Sequence, residues 1–340
     1  MKQQSFVVGM VAGAAAVLGG YQVLRSRNRI DLAGRTVVLS GGSRGLGLVL
    51  ARQFAAQGAR VCLLARDEDE LGRAASQVAE SGDTSVETYT CDIRSKGDVD
   101  RAIAEILERH SGIDVLVNNA GVIQVGPLEH MQTEDFENAM ATHFWGPLYL
   151  MQACLPAMKR RAFGRIVNVS SIGGRIAVPH LAPYSASKFA LVGLSDAVRA
   201  EVAAHGIRVT TVSPGLMRTG SPINASFKGQ HDQEFAWFAI ADSIPGMSIG
   251  AERAAGQILE ACRYGDPELT ISLPAKLAVM AAAVAPTVFA GLMAAAVRFL
   301  PGPAGPSGDQ MERGRDTRSP WAPSLVTTLS DRAAVENNEL

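Results

Sequence analysis

The chain has 340 residues and a hydrophobic content of 47%, which allows one large α/β domain with extensions and supplies a sizeable core. Its formal net charge is −1, and no Lys/Arg-rich face stands out in the middle of the chain, which argues against nucleic acid as the main partner. The four cysteines (Cys62, Cys91, Cys154 and Cys262) are far apart, with neither CxxC nor metal-ligand spacing, so they read as reduced thiols and not as a disulfide framework or a metal site.

The N-terminus carries an uncharged run, Phe6 to Leu24, followed at once by Arg25, Arg27 and Arg29. Its length suits a bilayer crossing, which takes roughly 17–25 residues. A secretory signal would place its charges ahead of the apolar run. Here the charges follow, so the expectation is an uncleaved anchor over residues 1–30, with the rest of the chain facing the cytoplasm.

From Arg35 onward, strand-like and helix-like segments alternate. Strands are expected at 35–40, 60–65, 85–92, 113–120, 164–171, 207–214 and 269–273. Helices are expected at 46–59, 67–81, 95–111 and, as one long pattern, 133–161. The strands are continuous apolar runs, so both sheet faces should be covered, as in a parallel sheet flanked by helices. There is no internal repeat and no mid-chain linker, so residues 31–273 read as one domain.

The first strand runs into "SGGSRGLG" (40–47) and then a helix. Gly41, Gly45 and Gly47 allow a tight turn and a close approach of backbone to pyrophosphate. Ser43, Arg44 and Leu46 complete the loop, and the free N–H groups of the helix N-terminus meet the anion. The end of the second strand reports the cofactor. An acid there would bind the ribose hydroxyls of NAD(H), whereas "LLAR" places Arg66 at that point. Arg66 and Arg44 together favour a 2′-phosphate, hence NADP(H) over NAD(H). The acids that follow, Asp67 to Glu70, read as a solvated helix start.

Further on, "YSASK" places Tyr184 and Lys188 four residues apart, on one face of a helix. With the glycine loop, "NNAG" (118–121), Ser171 at the end of the fifth strand, and "SPG" (213–215), the order of motifs resembles the short-chain dehydrogenase/reductase family over residues 34–273. The resemblance implies a Rossmann-type, doubly wound parallel sheet of about seven strands, a nicotinamide cofactor and hydride exchange with a carbonyl or alcohol carbon. It implies Ser171, Tyr184 and Lys188 as catalytic residues. Asp92 and Ile93 would lie by the adenine, Asn118, Ala120 and Gly121 beside the adenosine, and Pro214, Gly215 and Thr219 around the nicotinamide. A homodimer or homotetramer through the long helix and the tyrosine helix is also implied.

The implied chemistry follows from the residues. A phenol of pKa about 10 becomes a usable acid/base when a neighbouring ammonium stabilises its phenolate. One departure stands out: "HFWG" puts His143 where the family has an asparagine that holds a relay water. Histidine can take over that role, leave the relay impaired, or simply be buried for structure.

Beyond Gly220 the loop 221–247 carries Phe227, Phe235, Trp237 and Phe238, which either line an apolar pocket or pack their helix onto the sheet. Residues 277–297 are uncharged between Lys276 and Arg298 and are interrupted by Pro286. They form two short apolar helices, packed on the domain or lying on a bilayer, or a second span; the extension covers 274–300. Residues 301–340 begin Pro/Gly-rich and charged and are expected to be a flexible tail. The function expected is an NADP(H)-dependent oxidoreductase that interconverts a hydrophobic carbonyl and its alcohol at a membrane. The alternative is a non-catalytic NADP(H)-binding sensor or scaffold.

Overall fold

A computed structural model describes residues 20–340 apart from 21, 24, 83, 318, 320, 321, 323, 325 and 326. Seven strands form one parallel sheet: β1 (Thr36–Ser40), β2 (Arg60–Ala65), β3 (Val86–Thr90), β4 (Val115–Asn118), β5 (Gly164–Val169), β6 (Ile207–Pro214) and β7 (Glu268–Ile271). Their order across the sheet is β7-β6-β5-β4-β1-β2-β3. The order reverses between β1 and β4, and it is outside the carboxyl ends of strands at such a point that doubly wound sheets bind ligands.

The central strands are buried on both faces, which explains their unbroken apolar runs: every residue of β1 and of β5 is buried. On one face pack α1 (Gly45–Ala56), α2 (Glu68–Ala79) and, later in the chain, a helix at Ala251–Tyr264. Their core includes Leu48, Phe54, Leu71 and Ile258. On the other face lie α3 (Lys96–Arg109), α4 (Thr133–Met140), α5 (Gly146–Arg161) and α6 (Ala182–Val202). There the core joins Ile103, Leu116, Met151 and Ile166. Helices α2 and α3 start on side-chain caps from Asp67 and Ser95, as short polar residues at those positions favour.

The expected single helix over 133–161 is interrupted. Residues Ala141–Trp145 form a π-helical turn between α4 and α5. Such a turn inserts an extra residue into the helical ladder and swings the following side chains around the axis. His143 sits inside it and is wholly buried.

After β6 the chain forms α7 (His231–Ser243), α8 (Ala251–Tyr264), α9 (Leu273–Val284) and α10 (Pro286–Ala296). The stretch 277–297 is therefore two helices of 12 and 11 residues divided at Pro286, not a second span. Among the described residues no helix is long and apolar enough to cross a membrane. The anchor expected at 6–24 lies almost wholly outside the described residues. Just after it, Arg25 pairs with Asp266 through two short contacts, Nε to Oδ1 at 2.7 Å and Nη2 to Oδ2 at 2.8 Å, and its guanidinium stacks on Tyr264.

The last segment differs from the expected flexible tail. It carries α11 (Thr328–Glu336), whose Ser330, Ala333 and Ala334 are buried, and it returns to the carboxyl ends of the central strands.

Candidate active site

The glycine loop joins β1 to α1. Gly41 has φ +66° and lies so near the next strand's end that a Cβ there would sit 2.7 Å from the Ala120 Cα. A side chain on Gly47 would collide with the Gly41 carbonyl oxygen and with Asn119 Nδ2. Both glycines are thus needed for the tight turn. Among the described residues no side chain caps α1, and a helix N-terminus that opens on a glycine turn is the arrangement that suits a pyrophosphate. The loop is held from below by Asn119, whose side-chain amide donates to Gly41 O at 3.1 Å, while its backbone N–H donates to Ser40 Oγ at 3.1 Å. Asn118, expected beside the adenosine at the sheet centre, donates from Nδ2 to Asn168 Oδ1 at 2.7 Å inside the sheet. Neighbouring asparagines on a strand point to opposite faces, which is why the doublet does not say which one meets the loop.

The acids after β2 do more than face solvent. Asp67 caps α2, but Glu70 turns back to the loop, accepting from Ser43 Oγ at 2.9 Å and pairing with Arg44 at 3.1 Å. Arg66 is exposed at the end of β2, close enough to Asp92 to help hold that carboxyl below its ordinary range, after the larger effect of the Arg94 hydrogen bond. Ile93 is buried against Gly146.

Beyond β5 the chain reaches Ser171, and α6 brings Tyr184 and Lys188 opposite it. Ser171 Oγ accepts from Gly173 N–H at 3.0 Å and hydrogen-bonds the Tyr184 phenol. Gly173 lets that phenol approach: a Cβ there would lie 3.1 Å from Tyr184 Cε1. Lys188 reaches under the tyrosine ring, its Nζ 5.6 Å from the ring centroid and donating to Val169 O at 2.9 Å. Burial pushes the Lys188 ammonium down to about 7. Burial also pushes the Tyr184 phenol above its ordinary value, with Ser171 opposing the rise and Asp242 adding to it. The expected lowering of the phenol by the ammonium is therefore outweighed: desolvation keeps Tyr184 protonated.

His143 lies beside them. Val122 N–H donates to its Nε2 at 3.1 Å, so the ring proton is on Nδ1, which donates to Ser187 Oγ at 2.7 Å; that hydroxyl donates in turn to Tyr184 O at 2.9 Å. Burial, then the charge of Lys188, holds His143 well below the usual histidine range. The imidazole is neutral, and each of its nitrogens serves a protein partner.

Pro214, Gly215 and Thr219 lie on the strand end and turn after β6, where the cofactor-wrapping segment is expected. Met217 N–H donates to Asp242 Oδ1 at 3.2 Å, a residue of α7 that belongs to no recognisable motif. Asp242 is only 4% exposed, its Oδ2 finds no partner among the described residues, and burial raises its pKa to about 7. An isolated aspartate in an apolar helix carries no sequence signal for this. The aromatics of the same region are settled in favour of packing: Phe227, Phe235 and Phe238 are buried edge-to-face on one another, and Tyr184 and Trp237 rest against that cluster. His180 and Trp237 both bond the fully buried Glu234, at 2.8 and 2.6 Å, and Lys228 pairs with Asp135 at 2.6 Å, which fixes the segment over the site. An apolar cleft of about 590 Å³, lined by Val178, Pro179, Phe189, Met293 and Val297, adjoins the outer face of α6 and does not include Tyr184.

Three side chains of types that can ligate a metal, which the sequence spacing does not bring together, meet where β2, β3 and the end of α3 converge: Cys62, Glu87 and His110. The Cys62 thiol is pushed up to about 12 by burial, and Glu87 is already bonded by Tyr89 at 2.6 Å and His110 at 3.1 Å.

Comparison with known proteins agrees with this geometry. A family model described as short chain dehydrogenase matches residues 35–228. The "Dehydrogenase/reductase SDR family member 7B" of Bos taurus is 32% identical over 299 residues, 86% of this chain and 90% of that one. Among solved structures, a short-chain dehydrogenase from Streptomyces avermitilis is 27% identical with a TM-score of 0.66, covering 78% of this chain and 99% of its own. A metagenomic short-chain oxidoreductase in complex with NADP is 28% identical with a TM-score of 0.58, covering 72% of this chain and 97% of its own.

Proposed function

This chain belongs to the short-chain dehydrogenase family and is an oxidoreductase with a nicotinamide cofactor, and on that premise we propose that it reduces hydrophobic carbonyls with NADPH, Tyr184 acting as the proton donor. The observation that carries the reading is the convergence of Ser171, Tyr184 and Lys188 at the carboxyl ends of the strands that also present the glycine loop. When bound, the cofactor supplies the hydride. Ser171 holds the carbonyl oxygen, and Tyr184, protonated because it is desolvated, delivers the proton to it. Lys188 stabilises the phenolate that remains, at a pKa near which it can also pass on a proton. His143, neutral and bonded on both nitrogens, sets the position of Val122 and, through Ser187, of the tyrosine backbone.

Support for NADP(H) over NAD(H) comes from Arg66 at the end of β2 and Arg44 in the loop, two cations that suit a 2′-phosphate. Asp92 and Ile93, Asn118, Ala120 and Gly121, and Pro214, Gly215 and Thr219 complete the proposed cofactor contacts. An apolar substrate is supported by the uncharged run 6–24, which would bring the site close to lipid-soluble molecules.

Membrane association is the second part of the reading. The uncharged run 6–24 would anchor the protein with its domain in the cytoplasm. Helices α9 and α10 expose Leu277, Met280, Val284, Val288 and Leu292 with Lys276 and Arg298 at the flanks, a pattern that suits an interface. A homodimer through α5 and α6 follows the family pattern.

The test is to supply the purified protein with NADPH and a panel of hydrophobic ketones and aldehydes and to follow loss of the reduced-nicotinamide absorbance. Tight NADPH binding with no turnover across the panel would defeat the catalytic reading. Deletion of residues 1–29 is expected to release the protein from membranes.

A further inference from the structure

The end of the chain lies on the glycine loop. Helix α11 packs against the turn after Thr219, where Ala334 meets Gly220 so closely that only glycine fits. It delivers Asn337, Asn338 and Glu339 to the N-terminus of α1. The Asn337 carbonyl oxygen accepts from Gly45 N–H at 2.8 Å, the first helical N–H that an anion would use. Asn337 Oδ1 accepts from Arg52 at 2.9 Å. Asn338 Nδ2 donates to Ser43 O at 2.8 Å, and its Oδ1 accepts from Arg73 at 3.1 Å.

Glu339 completes the arrangement. Its Oε1 lies 2.5 Å from the point where a Cβ on Gly45 would be, the space that the glycine leaves for a ligand. Its Oε2 is 3.6 Å from Arg44 Nε and accepts from Asn224 Nδ2 at 2.6 Å. The Glu339 backbone carbonyl accepts from the same amide at 2.8 Å. Glu339 is 5% exposed, so this carboxylate has left water for the loop.

We propose that residues 337–339 are an internal competitor for the nucleotide site, so that a nicotinamide dinucleotide binds only when the C-terminal segment is expelled. The inference rests on the reading of the loop as the cofactor site. The Gly45 N–H taken by Asn337, and the arginine and glycine space taken by Glu339, cannot serve residues 337–339 and a pyrophosphate together. Residues 337–339 follow directly on α11, which packs on the turn after Thr219, so the competitor is covalently held beside the loop and its effective concentration there is high. The nucleotide then meets a protein whose open form is only a fraction of the whole, and its apparent affinity falls by that fraction.

The test compares the full chain with a chain lacking residues 337–340 and with Glu339→Gln. Dissociation constants for NADPH are read from energy transfer between tryptophan and bound nicotinamide. The truncated chain is expected to bind about tenfold more tightly, corresponding to an open fraction of about one tenth, and Glu339→Gln to fall between the two. Equal or weaker binding by a folded truncated chain overturns the proposal and leaves the functional reading standing. If no form binds NADPH or NADH, both fall. Should the truncated chain fail to fold, hydrogen exchange of the full chain decides. NADPH is expected to slow exchange at 41–47 and to speed it at 328–340; slowing in both segments would mean that the tail closes over the cofactor, and the proposal would be wrong.

Discussion

The imidazole of His143 stands edge-on to the ring of Tyr184, with centroids 5.5 Å apart and planes at 89°. The ring is held there from both sides, by Val122 N–H on Nε2 and by Ser187 Oγ on Nδ1. His143→Ala would leave the buried Val122 N–H unpaired and deprive Ser187 Oγ of a donor beside a cavity, a loss on the order of 2–4 kcal/mol in unfolding free energy. The pH profile of kcat is expected to show no ionisation from this residue in the ordinary histidine range, because burial holds its pKa well below that range. If His143→Asn keeps the melting temperature but shifts that profile, the histidine is a relay and not a strut.

Tyr184→Phe keeps the ring against its neighbours and removes only the phenol oxygen. Turnover is expected to fall by roughly 10²–10⁴, the usual contribution of a positioned acid. NADPH affinity, measured by nucleotide fluorescence, should stay within about threefold of the parent value. Retention of full activity would show that another group supplies the proton.

Lys188 is a cost to the cofactor-free fold. Its folded pKa is depressed to about 7 from 10.5, so between those values the unfolded chain binds more protons and stability rises with pH. Below about pH 7 the whole penalty is present; above 10.5 it is gone. Lys188→Met should therefore raise the melting temperature relative to the parent more at pH 6.5 than at pH 10.5, while abolishing activity. A pH-independent difference would mean that the ammonium is solvated in the folded protein.

Asp242 works in the opposite window. Its pKa rises from 3.8 to about 7, so the folded chain binds more protons between these values and stability is lost as pH increases through them. Asp242→Asn removes that loss, and its gain in melting temperature should appear above pH 7 and fade toward pH 4. Because Asp242 also raises the Tyr184 phenol, the variant should move the alkaline limb of the kcat/KM profile, where the phenol loses its proton, to lower pH. No shift in either profile would place Oδ2 in water.

Arg66→Asp tests cofactor choice. The substitution replaces a guanidinium that would meet a 2′-phosphate with a carboxylate that repels it. NADPH binding is expected to weaken about tenfold or more, with NADH binding little changed or improved. Equal weakening of both nucleotides would remove the 2′-phosphate argument.

The sequence is most legible where one residue type is the physical solution to a local problem. Glycine at 41 and 47 is dictated by close backbone approach, and the apolar runs by burial on both faces of a parallel sheet. It is least legible where a side chain's meaning depends on a distant partner. Glu70 reads as helix-start charge, yet it clamps Ser43 and Arg44. Asp242 lies far beyond Tyr184 in the chain and affects it across space. The π turn that buries His143 breaks a pattern whose apolar spacing reads as one helix.

By itself the sequence determined the alternation of buried parallel strands with helices and the glycine loop after the first strand, because strand periodicity and turn chemistry are local properties of the chain; the strand count and the Ser171, Tyr184 and Lys188 set were what the family resemblance implied. Only the tertiary structure decided that Tyr184 stays protonated, that His143 is neutral and doubly bonded, and that Glu339 lies against Gly45. Each of these depends on desolvation or on contacts between residues far apart in the chain, and neither is written in the order of its residues.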